Sequence, residues 1–528
     1  MVKRIGFVQA GAMALALASL AFGASPAAAQ NTPSRTTLVM AFGTDAATLD
    51  PPQNSSRDTA NIMQHIWGSL FEVTPEGRIV PYLAESYTES EDGTTLTIKL
   101  HAGLTCHDGE ALTAEDVAYT FQRAADPANR FTGSTPGFVF SALGYRAAEV
   151  VDPLTVRLRI ARYNPIALGL LSEVMIYCKD SYSRMTREQA AQRPIGSGPY
   201  RFVEWVRSDR IVLERVPGFT LRPAHFDRVV WRVIPEASTR TAELLAGNVD
   251  IMTNVPPDQI DVVNRSQRAR VQAVAGTRRM YVGFNQAPQF GNTPGGLAIR
   301  NPAVRHALQY AVDVPTICEQ LLRTPCERAT SLVNPPNGNN ALRPYPYEPQ
   351  TAERLLDEAG FRRGANGVRF TITLQSPNGR YLNDRNVALA IGQMLTDVGV
   401  QTTVEPLEWA SVYVPLINQR AAGPLFFLGT GGATWNALYD MADLSTPSAG
   451  TNYANWEDPE FYAGWDELNV RRPEAEQRTT IDRMLRIFYE RGPWLLLYFQ
   501  PDFYGVSQRI DWQARRDEHI YINDARPR

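Results

Sequence analysis

One stretch of sequence decides the fold of this chain, and it reads PYLAESYTESEDGTTLTIKLHAGLTCHDGEALTAEDVAYTFQRA over residues 81–124. Residues 94–100 within it alternate apolar and polar side chains, which is typical of a strand with one buried face. Residues 113–124 have the pattern of a helix, because Thr113 is a capping residue type and apolar side chains follow at helical spacing. A strand, a turn and a helix in this order predict a mixed α/β protein.

The turn between these two elements contains residue types that bind metals. His101, Cys106, His107 and Asp108 lie within eight residues. A zinc site calls for closer spacing of the C-x-x-C kind, and an Asp-Gly turn before a threonine cap is ordinary turn chemistry. We therefore interpret the cluster as a turn, and the sequence predicts neither a metal nor a cofactor.

The first thirty residues, MVKRIGFVQAGAMALALASLAFGASPAAAQ, have the composition of an export signal. Lys3 and Arg4 precede an apolar run, and small residues end it, which predicts a signal peptide over residues 1–29 cleaved near Ala29. The residue directly after that point is Gln30 and not a cysteine, so a periplasmic protein that is not a lipoprotein is expected. Removal of 29 of the 528 residues leaves 499, enough for two or three domains.

Charge and cysteine content narrow the classes of function. The 52 basic and 55 acidic residues nearly balance, so nothing indicates a nucleic acid partner. In an oxidising compartment the four cysteines predict disulfides, and three pairings are open. Cys318 and Cys326 are eight residues apart across a turn with a proline, which favours a local bridge and leaves Cys106 with Cys178.

Strands and helices alternate along the rest of the chain, which predicts α/β lobes. Strands are predicted over 154–160, 228–234, 249–251, 370–375 and 402–409, and helices over 236–247, 301–312 and 386–397. Loops rich in Pro, Gly and Asn are predicted over 126–137, 193–199, 286–301, 334–349 and 376–380.

Six blocks, in order, resemble the family 5 extracytoplasmic solute-binding proteins, which are the peptide- and nickel-binding components of ABC importers. The stretch 81–124 is the first block, and the others are PIGSGPYRFVEW (194–205), TRTAELLAGNVDI (239–251), YVGFNQ with NPAVRHALQYAVD (281–313), WEDPEFYAGWDEL (456–468) and RMLRIFYERGPWLLLYF (483–499). Together they span essentially the whole mature chain. Cys106 replaces the Phe that usually precedes His-Asp-Gly in this family, a departure that favours a disulfide from Cys106.

The resemblance implies a periplasmic-binding-protein-like α/β fold of the class II, or cluster C, type. Two lobes with hinge crossovers carry a third, smaller domain. By analogy the first lobe comprises 30–72, 190–284 and 480–528, the extra domain 73–189, and the second lobe 285–479. The lobes of such a monomer close on a solute. The permease subunits of an ABC transporter, powered by a separate ATPase, then receive it.

The resemblance also implies a set of cleft residues, which lie in loops at the ends of strands. They are Phe42, Gly43, Thr44 and Asp45, then Asn378, Arg380, Tyr381 and Trp409, and finally Gly431, Gly432, Trp435, Asn436 and Asp440. Arg380 is of the type that takes a carboxylate by two contacts, with a solvated loop arginine as the alternative. Trp409 and Trp435 are large enough to stack on a ligand, and packing roles are the alternative.

The sequence departs from the peptide binders in one loop of the second lobe. Peptide binders typically carry an acid there that pairs with the α-ammonium group, but residues 431–436 of this chain read GGATWN. Burying an ammonium group without a counter-charge costs on the order of several kcal/mol. Asp440 or Asp45 would therefore have to take the place of the missing acid. His65 is the one histidine expected near the cleft, and a packing role is the better interpretation for it.

The function predicted is therefore capture of a peptide-like or other amphipathic solute for an ABC importer. A non-peptide ligand in the same fold, such as a nickel chelate, an opine or a sugar, is the alternative. An exported hydrolase is disfavoured, because the chain contains neither a Gly-x-Ser-x-Gly elbow nor a His-Glu-x-x-His pair. We expect no enzymatic activity.

Overall fold

The computed structural model describes residues 37–326, 328–334, 337–431, 436–447 and 449–528. The predicted signal peptide and the predicted site residues Gly432 and Trp435 lie outside these ranges. None of the helices in the described part of the chain has the length and apolar content that crossing a bilayer requires.

The strands, in chain order, are β1 (Thr37–Phe42), β2 (Phe71–Val73), β3 (Ile79–Pro81), β4 (Ala84–Glu89), β5 (Thr95–Leu100), β6 (Tyr145–Asp152), β7 (Thr155–Ile160), β8 (Tyr200–Val206), β9 (Arg210–Arg215), β10 (Arg228–Val233), β11 (Ile251–Met252), β12 (Ala269–Phe284), β13 (Phe370–Asn378), β14 (Val400–Glu408), β15 (Leu425–Gly431), β16 (Trp494–Ser507), β17 (Ile510–Asp511) and β18 (Arg526–Pro527).

The helices are α1 (Arg57–Met63), α2 (Ala114–Ala125), α3 (Ser141–Leu143), α4 (Ala167–Leu171), α5 (Lys179–Tyr182), α6 (Arg187–Gln192), α7 (Ala237–Ala246), α8 (Ile260–Arg265), α9 (Pro294–Arg300), α10 (Pro302–Gln309), α11 (Val314–Thr316), α12 (Pro349–Glu358), α13 (Asp384–Asp397), α14 (Val414–Asn418), α15 (Ala437–Met441), α16 (Pro459–Leu468) and α17 (Glu474–Arg491). Short π-helical turns occupy Thr135–Phe140, Ile317–Leu322 and Trp409–Tyr413.

A ten-stranded mixed sheet organises the chain, with strand order β14-β13-β15-β12-β16-β11-β1-β10-β9-β8. We call β11, β1, β10, β9 and β8 the first half of the sheet, and β15, β13 and β14 the second half. In each half the strands that flank a βα crossover are parallel: β1 pairs with β10 and β11, and β13 pairs with β14 and β15. This mixed α/β architecture is the one predicted from the alternating sequence pattern.

Two long antiparallel strands, β12 and β16, join the two halves of the sheet. Their register changes between Ala275 and Arg279 and again before Tyr281, which makes a bulge in the middle of β12. A bulge bends its strand and changes the direction in which nearby side chains point. Arg278 and Arg279 lie at this bulge, where the two halves of the sheet meet.

The stretch that decides the fold supplies β4, β5 and α2 of a separate four-stranded sheet, of order β4-β5-β7-β6, which α2 covers. Thr113 caps α2 as predicted, and its backbone N–H donates a 2.7 Å hydrogen bond to the carboxylate of Asp116. Both ring nitrogens of His107 in the HDG turn contact backbone groups. Its Nδ1 accepts from the N–H of Gly196 at 3.2 Å, and its Nε2 lies 3.0 Å from the carbonyl oxygen of Gly198.

Both expected disulfides are present in the structure. Cys106 is bonded to Cys178 with a Cα–Cα distance of 6.1 Å, and Cys318 to Cys326 with a Cα–Cα distance of 5.8 Å. The first bridge fastens the HDG turn to the residue that precedes α5.

Three of the predicted loops contain regular structure, and the first, 126–137, includes a 3-10 turn at Pro127–Asn129 and the start of the π-helical turn Thr135–Phe140. The segment 286–301 includes α9, because Thr293 caps a helix that has Pro294 at its first position despite the glycines that follow. Strand β13 continues through the predicted loop to Asn378. Its pairing with β15 covers only Leu374 and Gln375, so Pro377, which has no N–H, lies beyond the part of the strand that is bonded on both sides.

Candidate functional site

A cavity of ≈ 160 Å³ lies where strands β13, β14 and β15 end. Ligands of open α/β sheets bind at the carboxyl ends of the parallel strands, because loops from several strands converge there. A single water needs roughly 10–15 Å³ by the same measure, so the cavity is large enough for a small organic solute.

Four of the sequence-predicted residues line this cavity: Arg380, Tyr381, Trp409 and Gly431. Each follows or ends one of the three parallel strands of the second half, and the sheet brings them together for that reason. Tyr381 also donates a 3.2 Å hydrogen bond from its hydroxyl to the carbonyl oxygen of Gly429, which ties the loop after β13 to β15.

Arg380 is a buried cation with weakly satisfied charge. Its residue exposure is 4 %, yet its Nε has no hydrogen-bond partner among the described residues. Its guanidinium lies 3.4 Å from Asp58 and 3.7 Å from Glu518, distances of ion pairs without close hydrogen bonds. The guanidinium carbon stands 4.9 Å from the ring centre of Tyr381 and 5.7 Å from that of Trp409, which hold it by cation–π contact.

The backbone that carries Arg380 is fixed by one carboxylate. Asp384 accepts hydrogen bonds from the N–H groups of Gly379, Arg380 and Tyr381 at 3.0, 2.9 and 3.0 Å. The N–H of Leu382 donates to the side chain of Gln500 at 3.0 Å. Arg380 is thus presented to the cavity from a loop that is already ordered.

The other three arginines of the cavity each have a close carboxylate partner. Arg57 lies 3.3 Å from Glu173, Arg279 lies 2.8 Å from Asp440, and Arg278 makes a two-pronged ion pair with Glu518. Burial would raise the pKa of Glu518, but the Arg278 and Arg380 guanidinium groups outweigh it and lower that pKa to about 2. Arg380 is therefore the cavity cation whose charge is least compensated.

Asp443 is the cavity carboxylate with the weakest partner. Its distance to Arg279 is 3.7 Å, and Arg279 is shared with Asp440. Burial, together with the neighbouring charge of Asp440, raises the pKa of Asp443 to about 6, against the opposing effect of Arg279. A positively charged group on a solute would stabilise the ionised form of this carboxylate.

Contacts across the cavity join residues that are far apart in sequence. The N–H of Gly450 donates to the carbonyl oxygen of Gly137 at 2.8 Å, and the hydroxyl of Ser55 donates to the side chain of Asn418 at 2.5 Å. These contacts connect the segments around α1 and residues 134–139 to the segments around α14 and residues 449–453. The two sets of segments that line the cavity are therefore in direct contact.

The predicted loop after β1 supports the site without lining the cavity. Phe42 packs on Trp231 with ring centres 5.1 Å apart, and Asp45 accepts a 3.0 Å hydrogen bond from the indole N–H of Trp205. Thr44 donates a 3.3 Å hydrogen bond to Asp58, the carboxylate that faces Arg380.

Gly43 is in contact with the loop that carries Arg380. A Cβ atom on Gly43 would lie 2.5 Å from the carbonyl oxygen of Gly379, so only glycine allows this approach.

Three further predicted residues within the described ranges, Asn378, Asn436 and Asp440, also lie off the cavity. Asn378 is at the end of β13, opposite Glu408. Asn436 caps α15, where its side chain accepts from the N–H of Leu438 at 2.8 Å. Asp440 is buried, and its carboxylate binds Arg279 and the N–H of Asn334.

His65 belongs to the core. It is 1 % exposed, its Nε2 lies 3.0 Å from the carbonyl oxygen of Ile520, and burial lowers its pKa to about 3. Within the described ranges no group of three or more His, Cys, Asp or Glu side chains is arranged to hold a metal ion.

Sequence reasoning did not find several of the charged residues of the cavity. They are Arg57, Glu173, Arg278, Arg279 and Asp443. Two adjacent arginines interrupt the apolar strand TRRMYVGF. Charged side chains are rarely buried unless they are paired, so this pair of arginines could have indicated a site. Nothing in the local sequence around Arg57 or Glu173 indicates that the two residues meet.

Comparison with known proteins identifies the family. The sequence profile of the bacterial extracellular solute-binding proteins, family 5, matches residues 78–452. The glutathione-binding protein GsiB of Pectobacterium atrosepticum is 26% identical over 516 residues, which span 94% of this chain and 93% of that protein.

Two solved structures share the fold. The oligopeptide-binding protein AppA of Bacillus subtilis, in complex with a nonapeptide, has a TM-score of 0.84 at 20% identity, covering 93% of this chain and 99% of AppA. The periplasmic binding protein DppA of Helicobacter pylori, in complex with the peptide STSA, has a TM-score of 0.82 at 21% identity, covering 93% and 98%.

The fold is that of the periplasmic binding proteins, and the cavity lies at the ends of its parallel strands. The chain belongs to the bacterial extracellular solute-binding proteins, family 5. The predicted family and fold class are thereby confirmed.

Proposed function

We propose that this protein captures a peptide-like zwitterion in its cavity and passes it to the permease of an ABC importer. The observation that carries the proposal is Arg380, a buried cation with an unpartnered Nε that lines the cavity. A carboxylate accepts two parallel hydrogen bonds from a guanidinium, and the bond is strongest where water is excluded.

Asp443 supplies the opposite charge. It lines the cavity, and its pKa is raised to about 6 because burial and Asp440 disfavour its charge. An ammonium group placed beside it offsets that cost. Asp443 thus takes the role for which Asp440 and Asp45 were considered, since both of those carboxylates are engaged with protein groups.

The names of similar proteins support a peptide-like solute. GsiB is a glutathione-binding protein, and AppA and DppA are bound to peptides. A short peptide carries one ammonium group, which would pair with Asp443, and one carboxylate, which would pair with Arg380. We propose that it acts as a periplasmic monomer, exported by a signal peptide over 1–29.

The proposed lobes follow the two halves of the sheet. The first lobe contains 190–284 and the extra domain 73–189, as the resemblance implies. The boundary predicted at 479/480 falls inside α17, which packs on α16 and α10, so we propose that the second lobe extends to Arg491.

Native mass spectrometry of the protein purified from its own periplasm tests the proposal. Solute released on denaturation is identified by its fragmentation. We expect a di- to oligopeptide or a close analogue with one free ammonium and one free carboxylate. A released solute without a carboxylate, such as a neutral sugar, would contradict the proposal, and a metal chelate would favour the nickel alternative.

A further inference from the structure

A second, smaller cavity of ≈ 40 Å³ adjoins the first. Arg57, Ala60, Glu173 and Met175 line both cavities, so the two are separated by one layer of side chains. The centre of this layer is the ion pair between Arg57 and Glu173, at 3.3 Å, whose side chains are 16 % and 20 % exposed. Separation of that pair would join the cavities.

The second cavity is lined by side chains whose polar atoms lack partners. The indole Nε1 of Trp67, the Nε2 of His519 and one terminal nitrogen of Arg222 have no hydrogen-bond partner within the described ranges. Trp67 is 1 % exposed and His519 is 7 % exposed. Buried polar groups are almost always hydrogen-bonded in native proteins, so these atoms indicate an occupant that is not part of the chain.

The tautomer of His519 follows from its neighbour Gln64. The Gln64 amide nitrogen donates to the carbonyl oxygen of Ile520 at 2.9 Å, which fixes the amide oxygen on the side of His519. That oxygen is 3.1 Å from Nδ1 of His519, so Nδ1 carries the proton and Nε2 is an acceptor. The cavity therefore offers acceptors from His519 and from Asn523, whose Oδ1 also lacks a partner among the described residues, and donors from Trp67 and Arg222.

The charges around the second cavity are internally balanced. Arg222 pairs with Glu72 at 2.8 Å, and Arg57 pairs with Glu173. Burial lowers the pKa values of His65 and His519, so both rings are neutral at physiological pH. A charged occupant would find no free counter-ion, whereas a neutral group with both a donor and an acceptor would satisfy the unpartnered atoms.

We propose that the second cavity is a subsite for an uncharged polar group, a carboxamide or hydroxyl, of the same solute that Arg380 holds. The cavity has room for about three waters, which matches the three heavy atoms of a carboxamide. This inference rests on the proposed function, because it needs a solute whose charged ends are bound in the first cavity.

Titration calorimetry with four dipeptides tests the subsite: Gly-Gln, Gln-Gly, Gly-Leu and Leu-Gly. We expect one glutamine dipeptide to bind about 5- to 10-fold more tightly than its leucine counterpart, the size of one or two hydrogen bonds. Trp67→Phe should remove that preference by weakening the glutamine dipeptide and leaving the leucine dipeptide unchanged, since it deletes the N–H and leaves a smaller aromatic ring in its place.

Trp465→Phe is the matched control. Trp465 is 5 % exposed and its Nε1 also lacks a partner among the described residues, but it lines neither cavity. The control should keep the wild-type preference, and a crystal structure of the glutamine complex should show the carboxamide beside His519.

Three results would overturn the subsite. They are equal affinity for glutamine and leucine dipeptides, a preference that persists in Trp67→Phe, and a complex whose second cavity holds only water. When one of these results occurs but the dipeptides still bind and Arg380→Gln weakens all of them alike, the subsite fails and the proposed function stands. If none of the four binds, the zwitterionic-peptide proposal fails and the subsite with it.

Discussion

Gly450 and Gly137 meet backbone to backbone on opposite sides of the cavity, through a 2.8 Å hydrogen bond from N–H to carbonyl oxygen. A Cβ atom on Gly450 would lie 2.6 Å from the Cα of Gly137, closer than non-bonded carbon atoms approach. We expect Gly450→Ala to hold the cavity open and to weaken solute binding about 5- to 100-fold, since such a clash costs about 1–3 kcal/mol.

Gly338→Ala is the control for that experiment. The nearest atom to a Cβ at Gly338 is the Ser331 hydroxyl oxygen, at 3.8 Å. Calorimetry should give wild-type affinity for the control, and small-angle scattering should show that solute addition compacts the control but not Gly450→Ala. Equal compaction of both variants would contradict the role assigned to this contact.

Arg380→Gln should reduce the affinity for the natural solute about 100-fold, because a buried charge-assisted hydrogen bond is lost. Arg380→Lys should lose about tenfold, since the ammonium keeps the charge but not the planar fork. Arg385→Gln, in the exposed part of the same segment, is the control and should bind normally. Equal solute affinities of Arg380→Gln and the control would contradict the binding role proposed for Arg380.

Asp443 should make solute affinity depend on pH. Its pKa in the solute-free protein is about 6, and an ammonium binds the ionised form, so affinity should fall as pH drops below about 6, by up to tenfold per pH unit. Asp443→Asn should bind more weakly at pH 8 and lose this dependence. Calorimetry at a series of pH values measures both effects.

The contribution of Asp443 to the free energy of unfolding of the solute-free protein should decrease as pH rises, whereas the affinity for solute should increase. The folded-state pKa of Asp443, about 6, exceeds the ordinary aspartate pKa of 3.8, so its contribution to folding is fully present below about pH 3.8 and is lost as pH rises through 6. Relative to wild type, solute-free Asp443→Asn should therefore be more stable at pH 8 than at pH 4. Urea unfolding at both pH values tests this sign.

The two disulfides should differ in their contribution to stability. Cys106 and Cys178 are 72 residues apart, and Cys318 and Cys326 are 8 apart. Loop-closure entropy then gives about 4 kcal/mol for the longer bridge and about 2.5 kcal/mol for the shorter one. Paired Cys→Ser variants, unfolded in urea, should reproduce this order, and a larger loss for the shorter bridge would contradict the entropic account.

The sequence predicted the fold well where local patterns repeat. Strands β5, β7 and β10 and the capped helices α2 and α7 lie where alternation and capping residues place them, since those signals act over a few residues. Helix α9 was not predicted, because the glycines after Pro294 have low helix propensity. Tertiary packing overrides that propensity in so short a segment.

The site was predictable only in part. Arg380, Tyr381 and Trp409 follow strands of one parallel unit, and strand ends converge by a general rule. Arg57 and Glu173 are 116 residues apart, and their ion pair depends on how α1 packs against the segment after α4. A contact between residues so far apart in the sequence cannot be recognised from the pattern of any one short stretch. Asp443 was missed because the prediction chose Asp440, three residues earlier, as the acid of this segment.

The bulge in β12 gives the protein a mechanical property as well as a shape. Arg278 and Arg279 belong to the same few residues at which the ladder between β12 and β16 loses its register. We propose that the two halves of the sheet pivot at these residues, both of which line the cavity. Under that proposal a bound solute changes the angle between the proposed lobes, and a permease that detects only this angle also detects whether the cavity is filled.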